Sequence, residues 1–475
     1  MSALVRQDQS DLIVIGAGSA GLSVASGAAQ MGARVVLIEG GEMGGDCLNH
    51  GCVPSKALIA AAAQAQGMRD AGRFGLAPVE PDVDFAAVMA HVAGVIAEIA
   101  PHDSQERFEG FGIRVIRGHA RFTAPRQIEV NGEALSARRI VLATGSRPMV
   151  PPVPGLDGVD YLTNESIFAL TERPRHLLVL GGGPIGLELA QSFRRLGSEV
   201  TVLEASTILA HEDRDAVEVV RNALTREGVT LREGARVEEA GGEAGALWLR
   251  IGEERIEGSH LLVATGRSAG VEGLNLSAAG IEGDAKGIKV DKRLRTTDPK
   301  VYAIGDVVAD APSFTHVAGY HAGIVVRQAV LSLPAKADHT LMPRVTYTAP
   351  ELAHVGLTEA EAREAHDKID VIQQPLAEND RARTERDTEG WIKLVLHRGK
   401  PVGVTITGQH AGDLLAPWVQ AMTAGTRLST LSGVVLPYPT LSELGKRAAG
   451  AYFSPKLFGN PWVERIVRLI QRVIP

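Results

Sequence analysis

Two stretches of this 475-residue chain are built to one plan. DLIVIGAGSAGL (11–22) is an apolar run, then G-x-G-x-x-G, then the start of an alanine-rich helix, and LLVLGGGPIGLELA (177–190) repeats it. Each is followed by a second apolar run that closes on an acid, Glu39 in ARVVLIEG and Glu204 in SEVTVLEAS. Each half later reaches Ala-Thr-Gly, in IVLATGSRP (140–148) and LLVATGRS (261–268). The pattern predicts two βαβ units that cradle dinucleotides. The first glycine makes the tight turn, the second lets a pyrophosphate approach the backbone, and the third lets the helix pack on the strand. The acid about twenty residues on accepts hydrogen bonds from a ribose. One such glycine run is weak. Two copies, each with strand, helix and acid, make a pair of ligand-free turns a poor explanation.

The expected fold class is α/β: two Rossmann-like dinucleotide-binding domains followed by a C-terminal α+β domain. Residues 1–150 carry the first segment of the first domain and 151–268 the second domain. Residues 269–343, with the extended run TTDPKVYAIGDV (296–307), return to complete the first. From 344 to 475 the β-rich runs RVTYTAP, GWIKLVLH and PVGVTITG alternate with helical segments such as GLTEAEAREAH. A net charge of −7 gives no electrostatic case for nucleic acid. LIVIGAGSAGLSVASGAA (12–29) imitates a signal or a membrane span, but Asp8 and Asp11 precede it and the nucleotide turn explains its glycines. A cytoplasmic location is therefore expected. Glu204 also bears on the cofactor, because a carboxylate there binds a 2′-hydroxyl and repels a 2′-phosphate. The ASTILA that follows offers no cation, so NADH is favoured over NADPH, with Arg214 the one residue able to fold back.

The insertion in the first copy, GGDCLNHGCVPSK (44–56), holds Cys47 and Cys52, the only two cysteines in the chain. Three readings compete: two unrelated buried thiols, a metal site, and a redox pair. Structural zinc usually takes four ligands, and only His50 stands between the cysteines. Pro54 suits the first turn of a helix that continues as SKALIAAAAQAQ. Cys52 then sits at a helix N-terminus, where the macrodipole favours a thiolate, and Lys56 one turn on adds positive charge.

At this point the sequence resembles the class I pyridine nucleotide–disulfide oxidoreductases, such as lipoamide dehydrogenase, glutathione reductase and mercuric reductase. GGDCLNHGCVPSK is similar to the family's redox-disulfide signature, YAIGDV to its second FAD motif, and VTYTAPELAHVGLTEAEA to the opening of its dimerisation domain. The resemblance implies an enzyme that passes hydride from NAD(P)H to FAD and electrons on to the disulfide. It implies FAD held through Gly16, Gly18, Ser19, Ala20, Gly21, Glu39, Gly40, Gly44, Gly45, Lys56, Ala120, Thr144, Gly145, Asp306 and Thr315. It implies NADH at Gly181, Gly183, Ile185, Gly186, Glu204, Val237, Gly266 and Arg267. Cys52 matches the flavin-proximal thiol, Cys47 the interchange thiol, and Lys56 with Glu188 a pair beside the flavin and nicotinamide. The implied assembly is a homodimer whose active site is shared between subunits, acting on a small-molecule or protein thiol or disulfide.

Two departures qualify the likeness. Disulfide-reducing relatives end in His-Pro-Thr-x-x-Glu, and LPYPTLSELGKRA (436–448) keeps Pro439, Thr440 and Glu443 but has Tyr438 where the histidine stands. Histidine titrates near 6.5 and accepts a proton at neutral pH, whereas tyrosine titrates near 10 and donates. Poor dihydrolipoamide oxidation is therefore expected, unless His50 supplies the base or the proton path is rearranged. A tyrosine here resembles mercuric reductase, but no third cysteine and no N-terminal metal-binding domain is read in the chain. A metal-ion reductase stays open, as does a membrane-docked redox partner or sensor. The second departure is the tail NPWVERIVRLIQRVIP, with Trp462, Ile466, Ile470 and Val473 on one helical stripe and Arg465, Arg468 and Arg472 on another face. Either a helix packed on the dimer or one lying on an anionic membrane fits it.

Overall fold

The computed structural model describes residues 10–474, which divide into two compact units. One comprises the chain up to Met68, Glu80–Thr207 and Thr230–His339; the other comprises Arg69–Val79, Ile208–Val229 and the chain from Thr340 onward.

In the first unit, β1 (Ser10–Ile15) runs into α1 (Ser19–Gln30) and β2 (Val35–Glu39). The short helix α2 (Gly45–Asn49) and the long α3 (Cys52–Arg69) carry the two cysteines. The helical run Phe85–Gly110 that follows is long and apolar enough to cross a membrane by length and composition alone. It is broken at Ala100–Asp103 and seats Phe85, Met89, Val92 and Phe108 in the interior. β3 (Glu133–Leu142) lies parallel to β1, Ile13 beside Ile140, and β2 flanks β1 on its other edge. Both faces of these strands are covered. Leu12, Val14 and Leu37 pack under α1, while Ile13, Ile15 and Ile38 face Phe122 and Ile128. That is why they read as continuous apolar runs rather than alternating ones.

The second copy repeats this with β4 (His176–Leu180), α4 (Pro184–Arg195), β5 (Glu199–Glu204) and β6 (His260–Val263), parallel in the order β5–β4–β6. A three-stranded antiparallel sheet over Glu239–Glu243, Ala246–Ile251 and Glu254–Gly258 is inserted before β6. No glycine plan announces it. β7 (Val301–Ala303) is parallel to β3, with Ala303 beside Leu142. The chain thus returns to the first sheet before entering α5 (Thr315–Val325). These registers bring Gly16, Thr144–Ser146 and Gly305–Asp306 to the carboxyl edge of one parallel sheet, the usual ligand edge of such folds.

The second unit is built on a five-stranded antiparallel sheet in the order Arg344–Thr346, Glu351–Gly356, Lys400–Gly408, Trp391–His397, Asp370–Pro375. Leu415 and Trp418 of the helix Ala411–Thr423 pack in its core with Leu444 and Ala448 of α6 (Glu443–Ala451). Lys393 is 2% exposed, yet its ammonium is fully engaged, 2.9 Å from Asp213 and 2.6 Å from Asp215. The last helix, α7 (Pro461–Val473), is capped by Asn460 and buries none of its residues.

Candidate active site

The insertion is fastened to the first glycine turn backbone to backbone. Gly44 donates to the Ala17 carbonyl at 3.0 Å, and Gly44 pairs with Gly18 as a parallel bridge. The approach is so close that a Cβ on Gly45 would lie 2.6 Å from the Cα of Gly18. The cysteines are thereby held at the mouth of the nucleotide turn.

Cys47 sits in α2 and is half-buried. Cys52 opens α3 itself, two residues before Pro54, and is exposed. Both thiols are free, and a hydrogen bond joins them. That bond, the Thr315 hydroxyl 3.2 Å from Cys52 Sγ, and the charge of Lys56 outweigh burial and the Asp46 carboxylate. They pull the Cys52 thiol down to about 6. The same bond and its own burial push the Cys47 thiol far up. The pair is therefore polarised into a thiolate at Cys52 and a thiol at Cys47. Ser19 and Thr315 also hydrogen-bond Cys47. Lys56 reaches the Glu188 carboxylate of α4 at 2.8 Å, joining the redox helix to the second glycine-turn helix.

Ser146 and Asn164, which the sequence reading did not single out, organise the same edge together with Arg267 and Asp306. Arg267, at the second Ala-Thr-Gly, donates to the Ser146 hydroxyl at 2.7 Å and lies 3.3 Å from Asp46. Ser146 in turn donates to Asp306 at 2.8 Å. Burial raises the Asp306 carboxyl above the usual range, against the pull of Ser146 and Arg267. Asn164 bridges the Asp46 carboxylate and the His50 carbonyl. Beneath this, the Gly305 N–H donates to Nδ1 of the fully buried His321, whose Nε2 is 2.7 Å from Nε2 of His339. His321 Nδ1 must therefore be an acceptor, so its proton sits on Nε2 and points at His339. Two histidines spaced eighteen apart were the only sequence trace of this pair.

Glu39 accepts from the Ala17 N–H at 2.5 Å and the Gly41 N–H at 2.6 Å, and Glu204 accepts from Gly182 and Ser206, each at 2.8 Å. The two turns are thus equivalent in detail. Gly21 packs so tightly that a Cβ would lie 1.8 Å from the Gly16 carbonyl oxygen, whereas a Cβ on Gly183 would enter open space. Thr144 Oγ1 is buried with no hydrogen-bond partner. A glycine cradle, an acid at its strand end and an orphaned hydroxyl facing one sheet edge fit a flavin dinucleotide.

Those observations meet the comparisons. The family model for pyridine nucleotide-disulphide oxidoreductases matches residues 10–322, and the model for that family's dimerisation domain matches 342–449. The chain belongs to the pyridine nucleotide-disulphide oxidoreductases. Mercuric reductase of Lysinibacillus sphaericus is 38% identical over 455 residues, 94% of this chain and 83% of that one. Dihydrolipoyl dehydrogenase of Thermus scotoductus is 39% identical over 453 residues, 93% of this chain and 97% of that one. Among solved structures, the Cu(II) complex of the HOCl-induced flavoprotein disulfide reductase RclA from Escherichia coli superposes with a TM-score of 0.84. It is 29% identical and covers 92% of this chain and 99% of that one. As a member of this family the chain is an FAD-dependent flavoprotein oxidoreductase with a redox-active disulfide, working with a pyridine nucleotide and carrying a dimerisation domain.

Within this oxidoreductase the remaining expected cofactor residues lie as follows. Ser19 and Ala20 form the first turn of α1, and Gly40 abuts the His119 ring beside buried Ala120. Gly145 lies between Thr144 and Ser146. Ile185 is exposed in the first turn of α4, in the turn that holds Gly181 and Gly186, and Gly266 accepts from Met149. Val237 packs in the apolar cluster with Leu203 and Val263. His50 caps α2 through its backbone and is half-buried. Arg214 spends its guanidinium on the carbonyls of Leu209 and Glu212.

In the other unit, Tyr438 is 69% exposed and donates to Asp380 at 3.1 Å, and that carboxylate raises the phenol further above its usual range. Glu443 begins α6, and its Oε2 is buried with no hydrogen-bond partner.

Proposed function

We propose that this enzyme passes electrons from NADH through FAD and the Cys47–Cys52 disulfide to an acceptor disulfide, or to a related thiol-reactive acceptor. The observation that carries this reading is the polarised thiol pair: Cys52 at a helix N-terminus, hydrogen-bonded by Cys47 and Thr315 and faced by Lys56. FAD, held at the glycine turn of Gly16, Gly18 and Gly21 with Glu39, Thr144 and Asp306, supplies acceptance of hydride from the nicotinamide and delivery of two electrons to the disulfide. The Lys56–Glu188 ion pair orients the helix that bears Cys52. Glu204 favours a free ribose 2′-hydroxyl, and Arg214, committed to its own loop, offers nothing to a 2′-phosphate.

In the dithiol state Cys47 must lose its proton to react. Its thiolate then attacks one sulfur of the acceptor, forming a mixed disulfide and expelling one thiolate. Cys52 attacks Cys47 next, which expels the second thiolate and restores the Cys47–Cys52 bond. Tyr438 and Glu443 are proposed to face this exchange from the partner subunit of a homodimer, located in the cytoplasm and touching a membrane face through the tail helix. Tyr438 is a donor rather than a base, which lowers turnover of lipoamide. The same feature favours a second reading, reduction of a soft metal ion held by the thiols, in line with the names of the mercuric reductase and Cu(II)-bound relatives.

Anaerobic titration of the holoenzyme with NADH tests the core of the proposal. A long-wavelength thiolate–flavin absorption is expected, lost in Cys52→Ala; its absence from the unaltered enzyme removes the Cys52 role. Lipoamide, glutathione disulfide, Hg²⁺ and a quinone, each offered with NADH and NADPH, then sort the acceptors. Strong preference for NADPH overturns the Glu204 argument.

A further inference from the structure

The tail helix α7 divides cleanly around its axis. Trp462, Val463, Ile466, Val467, Leu469, Ile470, Val473 and the following Ile474 fill one continuous arc of nearly half the circumference at the helical repeat. Glu464, Arg465, Arg468, Gln471 and Arg472 fill the rest. The apolar side is uncovered by its own chain: Trp462 is 71% exposed, Leu469 62% and Val473 72%. Leu457 and Phe458, just before the turn at Gly459, are exposed too, at 53% and 77%. This far exceeds the scattered exposed apolar residues of an ordinary surface.

Two properties identify the occupant. An apolar arc this wide suits a planar medium, since a helix seated in a seam with another helix shows a narrower stripe. The charge is also inverted relative to the molecule. Lys456, Arg465, Arg468 and Arg472 stand against the single acid Glu464, in a chain whose net charge is −7. Arg465 stacks on Trp462 at 5.5 Å at one edge of the apolar arc, while Arg468, 3.4 Å from Glu464, and Arg472 stand on the opposite side of the helix and add to its positive charge. We propose that α7 docks this enzyme reversibly on an anionic lipid surface, with the arc of Trp462, Ile466, Leu469, Ile470 and Val473 sunk at the headgroup boundary and the arginines on the lipid phosphates. This deepens the membrane contact in the functional reading and is independent of which acceptor the thiols serve.

The test uses the full-length holoenzyme, a form lacking residues 459–475, and Arg465→Glu/Arg468→Glu/Arg472→Glu. Each is sedimented with vesicles of phosphatidylcholine alone or with a quarter phosphatidylglycerol. The full chain should bind the anionic vesicles about a hundredfold more tightly than neutral ones, with affinity falling as salt rises. The truncated form should not bind, and the triple variant should lose the preference for anionic lipid. Equal sedimentation of the full and truncated forms, or indifference to lipid charge, overturns the proposal. So does a full chain that ignores vesicles while truncation turns a dimer into a monomer, for then a second copy covers the face. NADH reduction of the bound flavin, measured without vesicles in all three, reports on the redox reading separately.

Discussion

The chemistry of this enzyme rests on individual side chains whose neighbours set their protonation. Cys52 is held near 6 first of all by its hydrogen bond from Cys47, and only then by Thr315 and Lys56. Replacing Cys47 by alanine removes the largest favourable contact to the thiolate, so the Cys52 titration should move up toward the ordinary thiol range. Thiolate absorbance of the dithiothreitol-reduced protein against pH reads this directly. An unchanged midpoint would transfer the credit to Thr315 and Lys56. Tyr438 is the second such position. Its hydroxyl is tied to Asp380 while Glu443 Oε2 has no partner, an arrangement with an acid and no base. Tyr438→His places beside that acid a group that accepts a proton at neutral pH. Disulfide turnover at pH 7.5 should rise at least tenfold, a modest share of the roughly 10²–10⁴ that general bases contribute. An unaltered rate would mean that another base, such as His50, already serves.

At the scale of elements, the glycine turns show how much a missing Cβ decides. A Gly21→Ala side chain would overlap the Gly16 carbonyl with a β-carbon 1.8 Å away, and neither backbone segment is free to retreat. The expected loss is about 2–3 kcal/mol or more, with release of flavin, seen as a lowered melting temperature and free flavin fluorescence. Gly94 lies inside the helix Phe85–Ile99, where a Cβ meets nothing within 4 Å. Gly94→Ala should instead stabilise by about 0.5–1 kcal/mol through helix propensity alone. A melting temperature that fails to rise would indicate that this face of the helix is covered by another molecule.

At the scale of the whole molecule, two buried histidines make stability depend on pH on the acid side. Burial, with the neighbouring His339 in one case and Arg344 in the other, holds both His321 and His354 down at about 4. The unfolded chain takes up protons at these residues near 6.5, whereas the folded chain does not until about 4. The unfolded state therefore binds more protons across that window, and stability falls as pH drops through it, by up to about 1.4 kcal/mol per unit for each histidine. Chemical denaturation at pH 7, 6 and 5 should show this decline. His321→Gln should flatten the slope by one proton, whatever it does to stability at pH 7. Because His321 also accepts from the Gly305 N–H beside Asp306, the same variant should retain FAD less well on gel filtration.

What the sequence determined alone was whatever depends on neighbours close along the chain. The two strand–glycine–helix–acid units, the helix starting at the second cysteine and the amphipathic tail are local patterns. Short-range sterics and periodicity make them legible without reference to any distant residue. What only the tertiary structure decided was every arrangement made by distant residues. Examples are the Arg267–Ser146–Asp306 chain across 160 residues, the buried His321–His339 contact and Lys393 clasped by Asp213 and Asp215. No periodicity marks such groups, because each is polar and becomes a partner only when parallel strands and their crossovers bring its segment to a shared edge. The sequence already placed the negative charge on Cys52, through its helix N-terminus and Lys56; what its surroundings added is the hydrogen bonds from Cys47 and Thr315 that hold it there.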